Sequence, residues 1–184
     1  MGKCLIDKEW WRSNSGIVSI SPEASQGGIV PHVDTFLTLV RSGFTHLAFS
    51  QLETTLRKFL RTVAPGEVSN ATGEFKNVYD CLLKTHLKRD SGWDNQIHVI
   101  DFFRVIRNLI HNNGCYMNRR GVDFSTRYRN VSYNFVNGSH VNNIPFGVIV
   151  DLLEDVVQVI WEIIEHPKIR NHAGEIRDPV LKSD

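Results

Sequence analysis

Apolar residues recur at three- and four-residue steps through several stretches of this chain, a period that calls for amphipathic helices packed around a shared core. Over residues 32–64 the series includes Phe36, Leu39, Val40, Phe44, Leu47, Leu52, Leu56, Phe59 and Leu60, and it is closed by Ala-Pro-Gly at 64–66. Gly43 either splits this run into two helices or weakens one long helix. A second stripe of Phe75, Val78, Tyr79, Leu82 and Leu83 follows Thr72, whose hydroxyl suits an N-cap. A third helix is predicted over about 94–112, with Ile97, Ile100, Phe103, Ile106 and Ile110 as its apolar side and Gly114 as a left-handed C′ residue. Pro145 opens a last long helix, which stops before Pro167 and carries Asp151, Glu154, Asp155, Glu162 and Glu165 without a basic residue.

Residues 115–145 interrupt this period. Short alternating runs flank Asn137-Gly138, the favoured pair for a type I′ turn, so a small β-hairpin or an ordered loop is expected between the last two long helices. The predicted fold class is therefore all-α, a helical bundle with a small β-hairpin insert. Residues 1–30 read as an N-terminal arm, with Trp10 and Trp11 as anchors, a weakly alternating GIVSIS and a loop at SPEASQGG. Residues 31–167 form the helical domain and 168–184 a polar, mobile C-terminal tail.

Bulk properties exclude several classes. A length of 184 residues with 41% hydrophobic and 22% charged content matches a globular domain with its own core. No apolar run reaches the roughly 18 residues of a membrane span, and the charged N-terminus is unlike a signal peptide, so a cytoplasmic protein with no membrane contact is expected. Cys4, Cys81 and Cys115 are scattered without CxxC spacing, which argues for reduced thiols and against a disulfide framework or structural zinc. The eight histidines include no HExxH, and phosphate-loop and nucleophile-elbow motifs do not occur, so no metal and no cofactor are expected.

The overall charge of +1 conceals an uneven distribution. Between positions 104 and 129 six arginines face one acid, Asp123, which leaves −4 for the rest of the chain. Arginine suits bidentate phosphate contact. Arg119, Arg120, Arg127 and Arg129 thus read either as a solvated loop or as a path for an RNA backbone, with Tyr116, Tyr128, Tyr133 and Phe135 either stacking on bases or packing the hairpin to the bundle.

The segment FFRVIRNLIHNNG, residues 102–114, concentrates the chemistry. At about 100° per residue, Arg104, Arg107, Asn108 and His111 fall within an arc of roughly 100° on one helix face. An imidazole can move a proton at neutral pH, guanidiniums can bind phosphate and stabilise charge growing on it, and an amide can orient either. These are the parts for RNA cleavage without a metal. The plainer reading is that Arg and His complement the helix dipole and that Asp101 pairs with Arg104.

IRNLIHNNG, on a helix followed by a hairpin and a long closing helix, resembles the signature of HEPN domains, helical proteins of prokaryotic defence and toxin systems. FSQLETTLRKFL is similar to the first helix of several such families, and the likeness covers roughly residues 33–166. It implies a metal-independent endoribonuclease with RNA as substrate, a toxin or antiviral (abortive-infection) role, and a homodimer whose motif helices meet at the interface. An antitoxin or other defence-system protein is a further implied partner. A non-catalytic HEPN-like module that dimerises or binds RNA or a partner is the alternative, and a DNA-binding helical domain a weaker third. The family motif leaves four to six residues between arginine and histidine. Here Arg107 leaves three before His111 and Arg104 leaves six, so the motif is either Arg107-Asn108-His111 in shortened form, supported by Arg104, or Arg104 with His111. The family variant with a tyrosine close behind the histidine is not matched, since Tyr116 lies five positions on.

Overall fold

The computed structural model describes residues 29–67, 71–141 and 144–172, with side chains from residue 36 onward. The arm at 1–28, Cys4 and residues 173–184 lie outside the described residues. The described chain is mostly helical with one two-stranded antiparallel sheet. It runs as α1 (Ile29–Val63), α2 (Phe75–Asp80) continuing into a π-helical turn (Cys81–His86), α3 (Asp94–His111), β1 (Phe124–Tyr128), β2 (Val131–Phe135), α4 (Phe146–Glu165) and a short α5 (Pro167–Arg170). By its contacts the chain divides into Met1–Gly43 and Phe44–Asp184, a boundary inside the predicted 31–167 domain. In the first unit residues 29–43 are the opening turns of α1, with Phe36, Leu39 and Val40 exposed.

Gly43 does not split α1, and in the second unit the helix buries Phe49, Leu52, Leu56, Phe59 and Leu60. Phe44 and Leu47, predicted in that stripe, are instead exposed. They lie on the side of the helix away from Phe49 and Leu52, and only one side can face the core. All five predicted stripe residues of α2 are buried. Its start differs from expectation. Glu74, not Thr72, holds the N-cap position, and it makes no side-chain cap bond.

Helix α3 is central because two of its stripes are buried. Ile97, Ile100, Phe103 and Ile106 form the predicted one, whose last expected member, Ile110, is only half-buried, while Phe102, Val105 and Leu109 form a second. The ring of Phe102 packs 5.1 Å from Tyr128, 5.0 Å from Tyr133 and 6.3 Å from Phe135, which fastens the hairpin to the helix. Burial of a large aromatic on each of two sides contributes several kcal/mol in total, about 1.5–3 for each ring. What remains of the helix circumference is a narrow polar arc.

The helix ends in a Schellman arrangement. Gly114 N–H donates to Leu109 O at 2.7 Å and Asn113 N–H to Ile110 O at 3.3 Å. Asn113 (φ 52) therefore takes the C′ position predicted for Gly114, which follows at φ 84. The hairpin turn is also displaced. β1 pairs with β2 through Tyr128 and Val131, so Arg129-Asn130 forms the turn, at φ 44 and 67 as a type I′ turn requires of both central residues. Asn137-Gly138 instead forms a separate turn after β2, closed by Ser139 N–H to Val136 O (3.1 Å), in which the Asn137 side chain accepts from Asn118 N–H (2.7 Å) and Gly138 N–H donates to Tyr116 O (2.8 Å).

Helix α4 closes the core with Ile149, Leu152, Val156, Val159 and Ile163. The chain does not become a free tail at Lys168. The His166 side chain accepts from Lys168 N–H and Ile169 is buried, so an apolar contact and a cap hold one more turn.

Candidate functional site

Side chains of α1 at positions 46–49 meet those of α3 at positions 103–111 in reverse order. Phe49 packs 5.6 Å from Phe103, the Arg107 guanidinium stands 5.3 Å over the Phe49 ring, and one turn further His46 meets His111. The two imidazoles touch edge to face, with centroids 5.9 Å apart and planes at 77°. Arg107 and Asn108 are half-buried beside them and His111 is exposed. The Arg107 guanidinium also donates to Asn108 Oδ1 at 3.1 Å, so the amide orients the arginine rather than the histidine.

His46 belongs to no motif, and nothing in its local sequence marks it as a functional residue. It stands one turn before the buried Phe49 on α1, and only the pairing of two helices distant in sequence brings it to His111. Burial, the positive charge of Arg107 and the neighbouring His111 together hold the His46 pKa below its ordinary value, which favours the neutral imidazole.

Arg104 lies on the same arc but is held elsewhere. Its guanidinium donates to Asp101 Oδ1 at 3.0 Å, and the same carboxylate accepts from Tyr79 Oη at 2.5 Å and from Lys76 Nζ at 3.2 Å. Burial alone would raise the Asp101 pKa, but the hydrogen bonds from Tyr79 and Arg104 and the charge of Lys76 outweigh it and lower the pKa. Burial and the bond to Asp101 push the Tyr79 phenol in the opposite direction, upward. Asp101 thus ties α3 to α2, with Arg104 held on the same carboxylate within α3, and of the two candidate motif arginines Arg107 is the one beside both histidines.

The arginines after α3 separate into different environments. Arg129 bridges Asp151 (2.9 Å) and Asp155 (3.1 Å) on α4, and Arg119 pairs with Glu74 at 3.2 Å on the open surface. Arg120 and Arg127 are exposed and form no ion pair among the described residues. Of the four aromatic candidates, Tyr116, Tyr128 and Phe135 are buried and Tyr133 is half-buried against Phe102, so they pack the hairpin and are not open to bases. The Tyr128 hydroxyl donates to Asp155.

A separate group lies at the end of α2. Glu67, Cys81 and His86 bring one donor atom each within 4.8 Å of one another, the one such group among the described residues. It includes none of the residues around His111. Cys81 and Cys115 are both half-buried thiols outside any disulfide. Among the described residues no helix is long and apolar enough to cross a membrane. Comparison with protein-family models, curated proteins and solved structures finds no match for this chain.

Proposed function

We propose that the protein is a metal-independent endoribonuclease of HEPN type, with Arg107, His111 and His46 as its catalytic residues and Asn108 as a positioning residue. The observation that carries this reading is the meeting of two imidazoles 5.9 Å apart beside a guanidinium. Cleavage by the ribose 2′-OH needs one group to take the hydroxyl proton and another to protonate the departing 5′-oxygen. His46, kept neutral, takes the proton as the 2′-oxygen attacks phosphorus. His111, in its protonated form, gives one to the 5′-oxygen as the P–O5′ bond breaks. Arg107 balances the charge on the pentacoordinate phosphorus. The products are a 2′,3′-cyclic phosphate and a free 5′-hydroxyl.

The resemblance also implies a homodimer, a toxin or antiviral role and an antitoxin or defence-system partner, and these remain part of the proposal. An imidazole pair within one chain means that a dimer is not needed to supply both base and acid. The test is incubation of purified protein with RNA in EDTA, with circular dichroism confirming that the protein stays folded. Cleavage that disappears in His111→Ala supports the enzyme. Binding without cleavage in both proteins supports the non-catalytic module.

A further inference from the structure

We propose that Glu67, Cys81 and His86 form a zinc-binding site that ties the segment after α1 to the end of α2. Cys81 Sγ lies 3.2 Å from Glu67 Oε2, and His86 Nε2 lies 3.3 Å from Glu67 Oε1. Zn–S bonds of about 2.3 Å and Zn–N and Zn–O bonds of about 2.0–2.1 Å, at tetrahedral angles, place ligand atoms roughly 3.3–3.6 Å apart. The Glu67 carboxylate thus stands at ligand spacing from both other donors, one oxygen toward each, and the three donors lie within 4.8 Å of one another. Thiolate, imidazole and carboxylate are the donor types zinc uses, and three of them leave a fourth position for solvent.

A second observation points the same way. His86 Nε2 is buried and makes no hydrogen bond, its contact with Glu67 Oε1 at 3.3 Å being an ion pair only when the imidazole is protonated. Such an atom ordinarily has a partner. An ion seated between the three side chains would take its lone pair.

The backbone holds the donors in place without the ion. Glu67 N–H donates to Ala64 O at 3.0 Å and Glu67 O accepts from Ala71 N–H at 3.1 Å, so the turn after α1 is fixed. Cys81 and His86 are the first and last residues of the π-helical turn, in which Leu87 N–H donates to Leu82 O at 2.8 Å. Residues five apart diverge on an α-helix but come to one side in an i→i+5 turn, and such turns are frequent at functional sites. A C-x4-H spacing therefore gives no metal signal in the sequence until the π turn is known.

The experiment uses the full chain, stripped of metal and titrated with Co²⁺ as the probe. The proposal predicts one Co²⁺ per chain with a thiolate-to-cobalt charge-transfer band that Zn²⁺ abolishes. Cys81→Ser removes the band, Cys115→Ser keeps it, and His86→Gln weakens binding at least tenfold. Because Cys81→Ser or His86→Gln can fail to fold, alkylation of the wild-type chain, mapped by mass spectrometry, gives an independent readout. Zn²⁺ slows modification of Cys81 at least tenfold and leaves Cys115 unchanged. No charge-transfer band, a band that survives Cys81→Ser, or Cys81 alkylation indifferent to Zn²⁺ overturns the proposal and leaves a Cys81–Glu67 hydrogen bond with His86 beside it. RNA cleavage is not a readout here, so the outcome is independent of the role given to His111.

Discussion

The imidazoles of His46 and His111 meet edge to face 5.9 Å apart, although they come from different helices and stand 65 positions apart in the sequence. In the proposed mechanism these two groups beside Arg107 are the base and the acid, both supplied by a single chain. The pair also has consequences for pH.

His46 titrates below the ordinary histidine value of about 6.5. The native state then resists a proton that the unfolded chain accepts, so this group costs no stability above about pH 6.5 and lowers stability as pH falls below it. With His46 as the base, cleavage likewise persists to a pH below 6.5 before it declines. Arg107→Ala removes a positive charge and raises the His46 pKa, whereas Arg107→Lys changes it little. NMR titration of the His46 ring proton reads this directly, and an unchanged pKa in Arg107→Ala contradicts the coupling.

Asp101 is a stability residue. Asp101→Ala strands the Tyr79 hydroxyl and releases Arg104, at a cost of about 1–3 kcal/mol. Its lowered pKa adds stability that is complete above the ordinary carboxylate range and lost as pH falls through the folded-state value. Urea unfolding of Asp101→Ala and Arg104→Ala should show the loss, with cleavage per folded molecule retained in Arg104→Ala. A loss of cleavage comparable to that of Arg107→Ala returns the motif role to Arg104.

RNA affinity should depend on Arg120 and Arg127 and not on Arg129. Each contact to a phosphate contributes about 0.7 to the slope of log affinity against log salt for a single strand. Arg120→Ala and Arg127→Ala should each reduce that slope by about this amount. Arg129, already neutralised by Asp151 and Asp155, should leave it unchanged. Fluorescence anisotropy with a labelled RNA in a His111→Ala background, across several salt concentrations, measures all three.

The helices are legible in the sequence because their signals are local. The stripe from Phe75 to Leu83 and that from Ile97 to Ile106 are buried as their periods require. The second buried stripe of α3, through Phe102, Val105 and Leu109, is not legible, because its burial comes from tertiary packing, with the hairpin over Phe102. The bend of the hairpin escapes for a similar reason. Asn137-Gly138 has the stronger turn chemistry, yet Tyr128, Tyr133 and Phe135 packing on Phe102 sets a register that puts Arg129-Asn130 at the bend. Within the candidate site, the face bearing Arg107, Asn108 and His111 follows from helical geometry alone. The Asp101–Arg104 pair is legible too, as an i,i+3 contact, whereas finding His46 requires the pairing of α1 with α3, and the convergence of Tyr79 and Lys76 on Asp101 requires the packing of α2 on α3.

The most direct measurement is the chemistry of the RNA ends produced in EDTA by the wild type, His46→Ala and His111→Ala. Acid–base cleavage by the histidine pair predicts 2′,3′-cyclic phosphate and 5′-hydroxyl ends from the wild type, with rates about 10²–10⁴-fold lower in each variant. Ends bearing 3′-hydroxyl and 5′-phosphate, or wild-type rates in both variants, contradict it.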